Sequence, residues 1–117
     1  MLKPSFLKEV NIKEDMPTAS DAVKRVTYNL RNGKTLGFTV IKLVHGYGSS
    51  GRGGKIRSEV RRYLAAQKRD ALIRDFIPGE TFSIFDPATR SALAICDELR
   101  RDSDLERHNN GITIVVL

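Results

Sequence analysis

Residues 40–64, VIKLVHGYGSSGRGGKIRSEVRRYL, decide how this chain is to be read. An apolar strand runs into a glycine-rich turn carrying His45, and that turn opens a basic helix. Five of the nine glycines fall between Gly46 and Gly54, so the turn can enter positive φ and approach a ligand with no Cβ in the way. A helix starting near Gly54 or Lys55 aims unpaired N–H groups and the positive end of its dipole at the same place. That arrangement offers backbone amides to a phosphate.

The charge distribution points the same way. Between Arg52 and Arg74 there are eight basic residues against two acidic ones, Glu59 and Asp70. This local excess equals the whole net charge of +6, because the rest of the chain holds twelve residues of each sign. A basic patch confined to one segment is the footprint of a protein that meets polyanions. A solvated helix face is the competing reading, and the adjoining glycine turn favours the anion site.

Working outward, residues 6–12 read as a strand with Phe6, Val10 and Ile12 on one face and Asn11 and Lys13 directed the other way. Met16-Pro17 stops it. Ala19, Ala22, Val23, Val26, Thr27 and Leu30 then recur at helical spacing until Asn32-Gly33 closes the helix. Residues 38–44 (FTVIKLV) are almost continuously apolar and β-branched, as in a strand covered on both sides. The strand–helix–strand order predicts a parallel pair with a right-handed crossover.

In the basic helix, Ile56, Val60, Tyr63 and Leu64 make the buried stripe. Arg57, Arg61 and Lys68 lie along one flank, and Lys55, Arg62 and Arg69 along the other. Residues 72–77 read as a third strand ended by Pro78-Gly79. Asp86 caps a helix with Pro87 in its first turn, and Ala88, Ala92, Ile95, Cys96 and Leu99 form its apolar face to about Arg101. A polar loop over 102–110 leads to ITIVVL (112–117), a strand so apolar that it must be central or covered.

At 117 residues, with 40% hydrophobic and 29% charged residues, the composition is that of one folded domain, 1–117, with an inserted helical segment at about 80–110. The lone Cys96 excludes an internal disulfide framework. The first residues lack a signal-peptide core, no run approaches a membrane span, and the expected setting is cytoplasmic. There is no metal-ligand spacing; Glu14, Asp15 and Asp86 would hold a hard cation only if the fold collected them. Gly51 to Lys55 lacks the Gly-Lys-Ser/Thr ending of a nucleotide-binding P-loop.

The carboxyl ends of two parallel neighbours lie together, and open α/β sheets place ligands there. Asn11 and Lys13 end the first strand and His45 ends the second. His45 reads as a general acid, a general base or a phosphate donor, or else as a residue that bonds a backbone carbonyl to hold the turn. Tyr47 either stacks on a base or packs as a lid. His108, in the polar loop, has no expected role.

The order strand, helix, strand, His-Gly-x-Gly, basic helix and terminal strand resembles the small MutS-related (Smr) domain family. His45-Gly46-Tyr47-Gly48-Ser49 matches its second motif, Ile56-Arg57 its apolar-Arg pair, and residues 111–117 its last strand. Three features depart from the family pattern. Val10-Asn11-Ile12-Lys13-Glu14 stands where Leu-Asp-Leu-His-Gly is usual, the loop is longer over 50–54, and the helix of 87–101 is inserted.

The resemblance implies an α/β fold: a two-layer sandwich whose mixed sheet of about four strands carries two main helices plus one inserted helix, similar to a translation initiation factor C-terminal domain. It also implies nucleic-acid chemistry, since family members nick DNA or cut RNA. On it, Lys13, Gly46, Tyr47, Gly48, Ser49, Ser50, Arg52, Lys55, Arg57, Arg61 and Arg62 are expected to meet the phosphates of DNA or RNA, and His45 is the catalytic candidate. Asn11 cannot replace a carboxylate and Lys13 is cationic near neutral pH. The expectation is therefore binding with weak or absent cleavage and no cofactor, Mg²⁺ entering only with nuclease activity. The alternatives are an active endonuclease using His45, and a protein-interaction module marked by an apolar patch around Ile95 and Leu99.

Overall fold

The computed structural model describes residues 6–46 and 52–117, with the backbone alone at 52 and 53. The β-branched runs form one mixed sheet of β1 (Leu7–Asn11), β2 (Val40–Val44), β3 (Asp75–Pro78) and β4 (Ile112–Val116), ordered β1-β2-β4-β3. β1 and β2 are parallel, while β4 runs antiparallel to both of its neighbours. Helix α1 (Ala19–Leu36) makes the crossover between β1 and β2. Helix α2 (Arg52–Arg69) follows β2, and α3 (Pro87–Ile95) lies between β3 and β4.

Alternation along the strands sorts the core into two halves. Ile41, Leu43, Val115 and Ile12 pack with Ala22, Val26 and Leu30 of α1 and Ile56, Val60 and Leu64 of α2. This is the expected sandwich of sheet and two main helices. On the other face Val40, Ile112, Ile114, Val116 and Ile77 meet Phe82, Leu93, Cys96 and Leu99 of the inserted segment. The insertion thus covers the second side of β2 and β4, and their continuous apolar character follows from that double cover.

Several boundaries differ from the sequence reading. α1 runs past Gly33 to Leu36 and ends at Gly37, whose φ of 85° lets its N–H reach Gly33 O and Lys34 O. Gly33 is buried in mid-helix, where an added Cβ would lie 2.6 Å from Ile41 Cδ1. Its role is close helix–sheet approach and not termination. The third strand is confined to residues 75–78; Ala71 takes a positive φ of 58°, and Leu72 is 49% exposed outside the sheet. Phe6, read as part of the first strand, lies just before it and is 44% exposed.

The inserted helix is shorter than its apolar spacing implies. Asp86 caps it through Thr89 N–H, with Pro87 in the first turn, but Cys96 is extended and Asp97–Arg101 forms a separate 3-10 turn. That break keeps Cys96 and Leu99 buried and leaves Ile95 43% exposed. The expected apolar patch of Ile95 with Leu99 is absent, because Leu99 belongs to the core.

One side chain in this core escaped the sequence reading. Lys42, in the middle of β2, is 3% exposed, and its Nζ lies 2.9 Å from Asp102 Oδ1, 2.6 Å from Asp104 Oδ2 and 3.3 Å from Glu9 Oε1. Burial pushes the ammonium pKa down, but hydrogen bonds to Asp104 and Asp102 and their charges outweigh it and hold it above the usual lysine value. Asp104 is held below the usual carboxylate range: burial opposes this, and hydrogen bonds from Lys42 and Asn109 outweigh burial. The polar loop after the 3-10 turn is thereby fastened to the sheet.

Candidate functional site

The carboxyl ends of β1 and β2 lie side by side, with Asn11 paired to Val44 and Ile12 N–H bonded to Val44 O. Asn11 Oδ1 accepts from Lys13 N–H at 3.0 Å, and Arg25 of α1 donates to the carbonyls of Ile12 and Glu14. These bonds hold the turn that carries Lys13 against α1. Gly46 adopts a φ of 80°, and a Cβ there would lie 3.4 Å from Lys13 Cδ. Lys13 and the His45–Gly46 turn are therefore neighbours, as the parallel pairing implied.

His45 is fully buried. Its Nδ1 lies 2.7 Å from Gly46 O and its Nε2 2.8 Å from Thr113 Oγ1. Since a carbonyl only accepts, Nδ1 carries the proton and Nε2 accepts from the Thr113 hydroxyl. Thr113 Oγ1 in turn accepts from Arg61 Nε at 3.2 Å. In this arrangement neither ring nitrogen is open to a substrate, so the general acid or base reading lacks the exposed group it needs. The backbone is pinned as well, because the N–H groups of His45 and Gly46 both donate to Gly111 O at 3.0 Å.

Burial lowers the His45 pKa to about 4; the Gly46 bond opposes this and the charges of Arg61 and Arg57 add to it. A folded-state value depressed from 6.5 makes His45 stabilising above pH 6.5 and costs that stability as pH falls toward 4. Unfolding free energy is expected to decline across this window, with the His45 imidazole resonances unmoved at pH 6. An imidazole that titrates near 6.5 in the folded chain would contradict the buried network.

Arg61 departs most from its expected role. Its guanidinium forks onto Glu80, with NH1 to Oε2 and NH2 to Oε1 both at 2.7 Å. NH2 also reaches Ile112 O at 3.2 Å and Asn110 O at 3.5 Å. The Arg61 hydrogen bond holds Glu80 below the usual carboxylate range, against a smaller effect of burial. Arg61 therefore ties α2 to the 3-10 turn Gly79–Thr81 and to the start of β4, and most of its donors are taken up inside the protein.

The remaining cations differ. Lys13 and Lys55 are exposed and Arg57 is half-buried, and among the described residues none has an acidic partner. The influence of Arg57 on both His45 and Glu80 puts its charge at this end of the sheet. Arg62 is exposed and lies 3.5 Å from Glu59, and Lys68 bridges to Asp75 at 3.0 Å. An open groove of about 530 Å³ between the first turns of α1 and α2 is lined by Ser20, Lys24, Lys55 and Glu59. Tyr47, Gly48, Ser49 and Ser50, like the side chain of Arg52, lie outside the described residues.

Among the described residues, no group of three or more His, Cys, Asp and Glu side chains is placed to hold a metal ion. Glu14, Asp15 and Asp86 are not gathered, and Glu80, beside Arg61, is engaged by it. No helix of the described residues is long and apolar enough to cross a membrane. Sequence reasoning missed Glu80, Thr113 and Gly111. The only sign of them was a threonine in an otherwise aliphatic last strand and a glycine just before it.

The mixed sheet and the helix placement have the fold of an Smr domain. The chain aligns with the crystal structure of the Smr domain of Thermus thermophilus MutS2 over 94% of its own length and 96% of that chain, with a TM-score of 0.58 and 23% sequence identity. At that identity the likeness carries the fold. No family model matches the sequence, and no curated protein matches it at a significant level.

Proposed function

We propose that this domain binds nucleic acid without regard to sequence, through Lys13, the Gly46 turn, Lys55, Arg57 and Arg62, and has weak or absent endonuclease activity. The observation that carries this reading is that Lys13, Lys55 and Arg57 have no acidic partner among the described residues and lie beside a positive-φ glycine, where two parallel strands end and α2 begins. Such an end presents positive charge and backbone donors together, which suits phosphodiesters. The Smr fold and the His-Gly-x-Gly resemblance support the same class of ligand. His45 and Arg61 act in this reading as the scaffold that shapes the turn.

Binding measured against salt tests it. About four phosphate contacts on duplex DNA predict a log–log slope near −3 to −4. Lys55→Glu with Arg57→Glu should weaken all sequences alike and flatten that slope. Affinity that ignores salt, or is unchanged in the double variant, would sink the proposal. Labelled DNA and RNA, incubated with and without Mg²⁺, report cleavage in the same assay, and little or none is expected, since Asn11 and Lys13 stand where the family pattern has a carboxylate and a histidine.

A further inference from the structure

Phe85 is the most exposed large apolar side chain among the described residues, at 81%, and its neighbour Ile84 is 47% exposed. The segment that carries them is rigidly held. Phe85 N–H donates to Ser83 Oγ at 3.2 Å, Ile84 N–H to Glu106 Oε1 at 2.6 Å, and Arg90 NH1 to Ile84 O at 2.9 Å. Ser83 Oγ–H donates to Glu106 Oε2 and Asp86 N–H to Ser83 O, so both the backbone and its supports are bonded. An aromatic ring is thus displayed on a fixed backbone.

This segment belongs to the same end of the sheet as the candidate site. Pro78, which ends β3, pairs with Thr113, the residue bonded to His45. Glu80 follows at once and grips Arg61, and the backbone then leads to Ile84 and Phe85. The carboxylates along this path are engaged internally: Glu80 by Arg61, Asp86 by the first turn of α3 and Glu106 by residues 83 and 84. Arg90 and Arg107 have no acidic partner among the described residues. The surface next to Phe85 therefore leaves positive charge uncompensated.

We propose that Phe85 is a stacking platform for an unpaired base of a nucleic-acid strand whose phosphates run on to Lys13, Lys55 and Arg57, so that single strands are preferred over duplex. The proposal rests on the nucleic-acid reading above and names its substrate class. A ring on a rigid loop reaches a base face only where that base has left its duplex stack, and such stacking tolerates any base. Cations beside the ring hold the adjoining phosphates, which explains why the occupant is a polyanion with a π face and not an apolar protein pocket.

The test is fluorescence anisotropy with a labelled single strand of about 12 nucleotides and the matching duplex, a length within the site sizes of single-strand binders. Phe85→Ala is expected to weaken the single strand roughly 10-fold, and Phe85→Trp to keep it, while the duplex shifts less than about 2-fold. Melting curves should be unchanged, because the ring is exposed. Equal losses on both polymers, or no loss on either, overturn the proposal. If Lys55→Glu with Arg57→Glu weakens binding while Phe85→Ala does nothing, the binding reading stands and this one falls. If the wild-type chain binds neither polymer, both fall. Self-association abolished by Phe85→Ala with unchanged single-strand affinity assigns the ring to a protein contact instead and also overturns it.

Discussion

Lys42→Met is expected to destabilise the domain by about 3–5 kcal/mol, the range for removing one partner from a buried ion pair. The methionine would fill the space, so the loss comes from charge and not from a cavity. Asp102 and Asp104, with side chains 9% and 20% exposed, would be left without the cation that neutralises them. Urea unfolding near pH 7 measures the effect. Adding Asp102→Asn and Asp104→Asn to Lys42→Met should recover part of it, because neutral amides are cheaper to bury than unpaired carboxylates.

The pH dependence has a definite sign. Asp104 is depressed when folded, so its contribution is present above the unfolded value of 3.8 and is lost as pH falls through the folded one. Lys42 is raised, so its contribution is present below 10.5 and is lost as pH rises through its folded value. A Lys42→Met protein as stable as the wild type would show that these charges are solvated and that the loop is held by other contacts.

Gly79→Ala should be comparably damaging for a steric reason. A Cβ at position 79 would lie 1.8 Å from Asn109 O and 2.8 Å from Ile112 Cγ1. The first of these atoms is backbone, so relief requires the 3-10 turn and the turn before β4 to move apart, at a cost of about 3 kcal/mol or more. Gly37→Ala is the contrast: φ is 85° but nothing lies within 4 Å. Its cost is backbone strain alone, about 1 kcal/mol. Thermal melts should rank the two variants in that order, and the reverse order would refute the close approach at Gly79. Because Gly111 O anchors His45 and Gly46 two residues beyond Asn109, the Gly79 variant should also shift the His45 imidazole resonances.

Local pattern was enough to identify the four strands and the three α-helices, the parallel pairing of β1 with β2, the covered character of β4 and the Asp86 cap. Each rests on near-neighbour chemistry: apolar period, β-branching, a capping carboxylate, a proline in a first turn. The neighbourhood of Lys13 and His45 was also legible, because neighbouring parallel strands must bring their carboxyl ends together. Composition likewise located the positive charge on the segment around α2.

Tertiary structure decided what those side chains do. Arg57 and Arg61 sit one helical turn apart and read alike in sequence, yet Arg61 is consumed by Glu80, Thr113 and two carbonyls while Arg57 is not. A periodicity assigns a face; it does not reveal which distant carboxylate meets that face. His45 likewise became a buried, neutral strut because Thr113 and Gly111, more than sixty positions away, close over it. Lys42 went unremarked in an almost continuously apolar strand, and its role follows from the insertion, which folds Asp102 and Asp104 onto it. Gly33 read as a helix stop because a missing side chain looks the same in sequence whether it frees the backbone or admits Ile41. In each case the deciding partner is remote in the chain and close in space.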